Sequence, residues 1–110
     1  MDSTTDLPKS QVKRIVKAKL NELYAEDAHK RNAAVSKDAL TAFAESGRVF
    51  ISHVTAAANA VCRDAKRSTV TGDDVLQAMR NLQFDEFDEP LRNLLEGNAN
   101  LLSHSKVTLS

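Results

Sequence analysis

The chain has 110 residues, 42% of them hydrophobic but only 5% aromatic, and its fifteen basic and fifteen acidic side chains cancel to a net charge of zero. One small domain rich in aliphatic residues is expected, and the zero balance argues against a stand-alone nucleic-acid binder, which would be basic. A single cysteine, Cys62, excludes an internal disulfide, and no apolar run approaches the roughly eighteen residues of a membrane span, so a soluble intracellular protein is expected.

Residues 1–6 are polar and are expected to be flexible. A first helix starts near Pro8, whose missing N–H costs nothing in an opening turn. Val12, Ile15, Val16 and Leu20 make its buried face, and Lys9, Lys13, Arg14 and Lys17 make the other. Leu23, Tyr24 and Ala28 continue the spacing, so the helix is expected to end between Ala28 and Asn32. The competing reading breaks it near Asn21 and leaves a long loop.

Ser36 to Ala65 reads as one long helix. Leu40, Phe43, Ala44, Gly47, Phe50, Ile51, Val54, Ala58, Val61, Cys62 and Ala65 recur at three-four spacing. Ser36 is a candidate N-cap, and Asp38 complements the dipole in the first turn. At 1.5 Å per residue the helix is roughly 45 Å long, and it is apolar around most of its girth. No other segment of this chain is long enough to cover it, which implies a second chain. Cys62 lies on the apolar face and reads as a packed thiol.

Residues 66–70 are a short connector. Thr71-Gly72-Asp73-Asp74 resembles a capping box with Asp in place of Glu or Gln. Val75, Leu76, Met79 and Leu82 are the apolar face of a short third helix. Gln83 to Asp88 form a joint with Phe84 and Phe87 as anchors. A last helix starts near Glu89-Pro90, carries Leu91, Leu94 and Leu95, and is expected to end at Gly97. Residues 97–110 read as a flexible tail. The expected class is all-α: short helix, long central helix, short helix, and a C-terminal helix. Two short helices flanking one long helix is the layout of a histone fold, here over residues 7–96.

Particular residues support that reading. Leu7-Pro8 precedes Val12-Lys13-Arg14-Ile15-Val16-Lys17, Ser36-Lys37-Asp38-Ala39 opens the second helix, and Lys66-Arg67-Ser68-Thr69 forms the second loop. Asp74-Val75-Leu76-Gln77-Ala78-Met79 follows, then Phe84, Phe87 and Glu89-Pro90-Leu91. In these residues the chain resembles the histone-fold group that contains the B-type subunit of nuclear factor Y and the small histone-fold subunit of DNA polymerase epsilon. Phe43-Ala44-Glu45-Ser46, Arg48-Val49-Phe50-Ile51 and Ala58-Asn59 resemble the plant polymerase type most. Phe50-Ile51-Ser52 and Cys62 also resemble the nuclear factor Y type. Family members have a tight loop after the first helix, whereas residues 21–34 here form an insertion.

The resemblance implies a non-catalytic nuclear subunit that pairs head to tail with a second histone-fold chain. That partner would resemble the C-type subunit of nuclear factor Y or polymerase epsilon subunit 4. Phe43, Phe50, Ile51, Val54, Ala58 and Val61, with Leu76, Met79 and Phe84, are expected to carry the pairing. The pair would grip double-stranded DNA by its backbone as an accessory module of DNA polymerase epsilon, beside the polymerase catalytic subunit. Histones and a chromatin-remodelling complex are further implied partners. The alternative is a transcription-factor subunit of the nuclear factor Y type, in which a third subunit reads the bases.

Lys66, Arg67, Ser68 and Thr69, followed by a helix N-terminus, offer the donors of a phosphate site. The competing reading is a solvated loop in which Arg67 pairs with Asp74, and the resemblance implies that pair as a structural clamp. Lys9, Lys13, Arg14 and Lys17 lie on the first-helix face that DNA-binding histone-fold pairs use; a solvated polar face is the plainer meaning. Lys30 and Arg31 belong either to the first loop or to a helix C-terminus. Asp85, Glu86, Asp88 and Glu89 either meet a basic partner or favour a helix start. No catalytic constellation, metal set or cofactor motif is present: His29, His53 and His104 lack ligand spacing with Cys62 or a carboxylate, and no glycine-rich phosphate loop occurs.

Overall fold

A computed structural model describes residues 5–25 and 34–109, and of residues 102–109 the backbone alone. Among these residues four α-helices follow in order: α1 (Lys9–Tyr24), α2 (Lys37–Asp64), α3 (Gly72–Asn81) and α4 (Asp88–Leu109), with a 3-10 turn at Asp85–Phe87 before α4. Among the described residues there is no strand, so the class is all-α. The chain divides into two compact units, one through Ile51 and one from Ser52.

In the first unit, Pro8 is the N-cap residue of α1, and its carbonyl accepts from the N–H groups of Gln11 and Val12, each at 3.1 Å. Val12, Val16 and Leu20 are half-buried along one row, and α1 contains no fully buried residue. Ile15, expected on the buried face, is 71% exposed, because it lies about 100° around the helix from Val16. The helix does run past Leu20, but it ends at Tyr24 instead of between Ala28 and Asn32. Ala25 N–H closes the last turn on Glu22 O at 3.3 Å, and Leu23 and Tyr24 are too exposed to hold a longer helix down. Residues 26–33, including Ala28 and most of the expected insertion, lie outside the described residues.

Ser36 caps α2: Ala39 N–H donates to its Oγ at 3.3 Å and Leu40 N–H to its carbonyl at 3.0 Å. The helix has 28 residues, about 42 Å at 1.5 Å per residue. Ala44 is the buried residue of its first half. Gly47 lies under Leu7, and a Cβ there would stand 2.7 Å from Leu7 Cδ1. The glycine therefore gives up helix propensity so that the segment before α1 can lie across α2.

In the second unit the core is Val54, Ala58 and Cys62, one residue per turn of α2, with Leu76, Ala78 and Met79 of α3. Gly72, the first residue of α3, is covered by the Leu95 side chain of α4, in the space a Cβ would fill. Phe84 and Phe87 meet edge to face, ring centroids 6.0 Å apart, and anchor the joint between α3 and α4.

Helix ends depart most from the expectations of sequence. Gly97 does not terminate α4, which continues through it to Leu109, across residues expected as a flexible tail. No glycine has positive φ; among the described residues the left-handed positions are Lys66 (φ 60°) and Gln83 (φ 64°). Each closes a Schellman motif. Lys66 N–H donates to Arg63 O at 2.9 Å and Arg67 N–H to Cys62 O at 3.1 Å. Gln83 N–H donates to Arg80 O at 3.0 Å and Phe84 N–H to Met79 O at 2.9 Å. A side chain in this region costs about 1–2 kcal/mol relative to glycine. Gln83→Gly is therefore expected to stabilise the fold by roughly 0.5–1 kcal/mol, once the extra unfolded-state entropy of glycine is counted. A thermal melt that moves downward contradicts this.

Candidate nucleic-acid interface

The loop between α2 and α3 is built around Arg67. The Schellman turn at Lys66 reverses the chain, and the capping box of α3 receives it. Thr71 Oγ1 accepts from Asp74 N–H at 3.3 Å, and Thr71 N–H donates to Asp74 Oδ2 at 2.9 Å. Asp74 is only 2% exposed. Arg67 reaches it with a two-point fork: Nη1 donates to Oδ2 at 2.8 Å and Nη2 to Oδ1 at 2.5 Å. Nη1 also donates to the Thr69 carbonyl at 3.1 Å. Cys62, 1% exposed, has its thiol 3.2 Å from Arg67 O and 3.3 Å from Thr69 O. The loop backbone is thus held from beneath by one guanidinium and one thiol.

Guanidinium carries five N–H donors. Asp74 and Thr69 take three of them. The remaining two, on Nε and Nη2, share the other edge and have no acceptor among the described residues. The Arg67 side chain is 40% exposed. The hydrogen bonds of Arg67 first, and of the Thr71 N–H second, hold the Asp74 carboxyl well below its ordinary 3.8, against the opposing effect of burial. Lys66, Ser68 and Thr69 are exposed.

On α1, Lys9, Lys13 and Lys17 recur every fourth residue, with Arg14 beside them, and all four are exposed. None of the four makes an ion pair with another described residue. Lys30 and Arg31 lie outside the described residues, as does His29. In the acidic stretch, Asp88 is paired with Arg80 of α3, whose hydrogen bonds lower its pKa, while Asp85, Glu86 and Glu89 are exposed. Among the described residues no three His, Cys, Asp or Glu side chains are grouped to hold a metal ion.

The residues expected to carry pairing divide. Val54, Ala58, Leu76 and Met79 are 6%, 1%, 9% and 6% exposed within this single chain. They are buried within this chain and leave almost no surface of their own. Phe43 and Ile51 are about half exposed, together with Val49, which periodicity alone does not put on that face. Phe50, Val61 and Phe84 are half-buried.

Short, long and short helices, with a buried Asp–Arg fork joining the second loop to the third helix, define a histone-fold protein. The chain belongs to the family described as histone-like transcription factor (CBF/NF-Y) and archaeal histone, whose profile matches residues 5–79. It is 43% identical over 91 residues to the B4 subunit of DNA polymerase II of Arabidopsis thaliana, covering 83% of this chain and 32% of that protein. It is 40% identical over 90 residues to the B-2 subunit of nuclear transcription factor Y of the same plant, covering 82% and 43%. It is 38% identical over 92 residues to transcriptional activator hap3 of Schizosaccharomyces pombe, covering 84% and 72%. The chain thus spans less than half the length of the two plant relatives.

Proposed function

We propose that this chain is a non-catalytic, nuclear histone-fold subunit. It pairs with a second histone-fold chain that resembles the C-type subunit of nuclear factor Y or polymerase epsilon subunit 4. The pair acts as a double-stranded-DNA-binding accessory module of DNA polymerase epsilon in replication. The observation that carries the reading is the second loop, in which Asp74 fixes an Arg67 whose side chain stays 40% exposed beside exposed Lys66, Ser68 and Thr69. Similarity to a polymerase subunit at 43% identity favours replication, and the exposed Phe43, Val49 and Ile51 of α2 favour a partner chain. The transcription reading keeps support from relatives at 40% and 38% identity.

Affinity purification of the tagged chain, followed by mass spectrometry, tests the proposal. Recovery of a polymerase catalytic subunit supports it, and recovery of a base-reading third subunit with preference for CCAAT-containing over random duplexes overturns it. Backbone gripping has its own signature. Lys13→Ala with Lys17→Ala is expected to weaken binding of the pair to random and CCAAT duplexes alike. The slope of log K against log salt should fall by about two, at roughly 0.9 per phosphate contact. An unchanged slope removes α1 from the interface.

A further inference from the structure

We propose that Thr69 is a phosphoryl-acceptor site and that its phosphate closes the second loop to nucleic acid. The effect on DNA rests on the proposed function; the acceptor assignment does not. Ser68 and Thr69 are exposed, and neither hydroxyl hydrogen-bonds to a described residue. Lys66 and Arg67 stand three and two residues before Thr69, and half-exposed Val70 follows it. Cations at those offsets suit the acidic substrate groove of a basophilic kinase, because charge patterns upstream of the acceptor set kinase specificity. Ser68 has the same cations one residue closer, with Ala65 at the third position. Lys66 is exposed, and the Arg67 side chain is 40% exposed.

The reaction needs ATP as co-reactant. The Thr69 Oγ–P bond forms as the bond from the γ-phosphorus to the β,γ-bridging oxygen breaks. ADP leaves, and the hydroxyl proton passes to the kinase base and then to solvent. The consequence follows from charges already fixed in the loop. Asp74 neutralises Arg67, so Lys66 is the loop's net cation. A phosphate adds about −1.5 to −2 and turns the loop anionic. Arg67 Nη1 is 3.1 Å from the Thr69 carbonyl, so the new dianion arises beside a positioned guanidinium. Asp74 keeps the fork, and the added charge stands in the loop beside Nη1. A DNA phosphate approaching the loop then meets negative charge.

The test uses the full chain co-purified with the histone-fold partner that affinity purification recovers. The complex is treated with the catalytic subunit of cyclic-AMP-dependent protein kinase and Mg-ATP, mapped by peptide mass spectrometry, and titrated with a random duplex. The expected result is one phosphate on Thr69, none on the Thr69→Val complex, and about tenfold or greater loss of duplex affinity with a shallower salt slope. The melting midpoint should stay level or rise, because the phosphate adds a partner to Arg67. A kinase that modifies a peptide of residues 62–73 but leaves the folded complex unmodified, or modifies Ser68 instead, overturns the acceptor assignment. Undiminished binding by the Thr69-phosphorylated complex overturns the switch. If the unmodified complex binds no duplex, the DNA reading fails and takes the switch with it, while phosphate incorporation still decides the acceptor.

Discussion

An Asp74→Ala chain, paired with its partner, is expected to melt on the order of 10 °C below the parent, a large loss for one substitution. Two arrangements fail together. Arg67 loses its fork, and Thr71 N–H loses its acceptor, which is half of the α3 capping box. A cavity opens where a buried side chain had been. Thr71→Ala removes only the hydroxyl half of the cap and should cost about 1 kcal/mol, so the excess loss in Asp74→Ala reports the clamp together with the cavity. Comparable melting of both would show that the clamp adds nothing.

The same carboxylate sets an acid limit. Its folded pKa lies below its ordinary 3.8, so the unfolded chain binds the proton more readily. The stability it contributes is complete above about pH 4 and is lost as pH falls toward the depressed folded value. Asp74→Asn cannot lose a proton, so its stability should vary less with pH across that acid range. An identical acid profile for parent and variant would assign acid unfolding to other carboxylates.

Phe43→Asp is expected to abolish pairing at micromolar concentration while leaving the chain's own core intact. Phe43 is 51% exposed, and nothing in the second-unit core depends on it. Aromatic anchors at interfaces commonly carry about 2–4 kcal/mol, so the dissociation constant should rise by roughly 30- to 1,000-fold. Titration of labelled partner, with circular dichroism to check helix content, reads both parts. Tight binding by Phe43→Asp would move the pairing face elsewhere on α2. Substitution at Ala58 would be a poor probe: at 1% exposure it would break the chain's own core before it tested an interface.

Much of the architecture could be read from spacing. The long helix declared itself through about thirty residues of uninterrupted three-four periodicity, and its start through Ser36. The α3 start was legible in Thr71 and Asp74, because a capping box is local chemistry. The helix ends were not. Gly97 invited a stop, yet it is an ordinary helical residue, whereas Lys66 and Gln83 took the left-handed positions with no glycine to mark them. Propensity can be overruled where the next segment must turn back onto a core, and it gives no stop where the chain can simply continue. Asp74 shows the same limit within the candidate site. Its capping role was visible within four residues of sequence, whereas its pairing with Arg67 was one of two readings of the loop, and its role as a clamp was implied by family resemblance.

The sequence by itself determined the all-α class, the order of helices and the chemistry of the second loop, because these depend on neighbours within a few residues. Tertiary structure alone decided which apolar residues are spent inside the chain. Val54, Ala58, Leu76 and Met79 have the same periodic signature as Phe43 and Ile51, and periodicity says only that a residue must be covered. Whether the cover comes from the chain's own side chains or is left for a partner depends on what comes to pack over each residue. That is set by packing between residues far apart in the chain, such as Leu95 over Gly72.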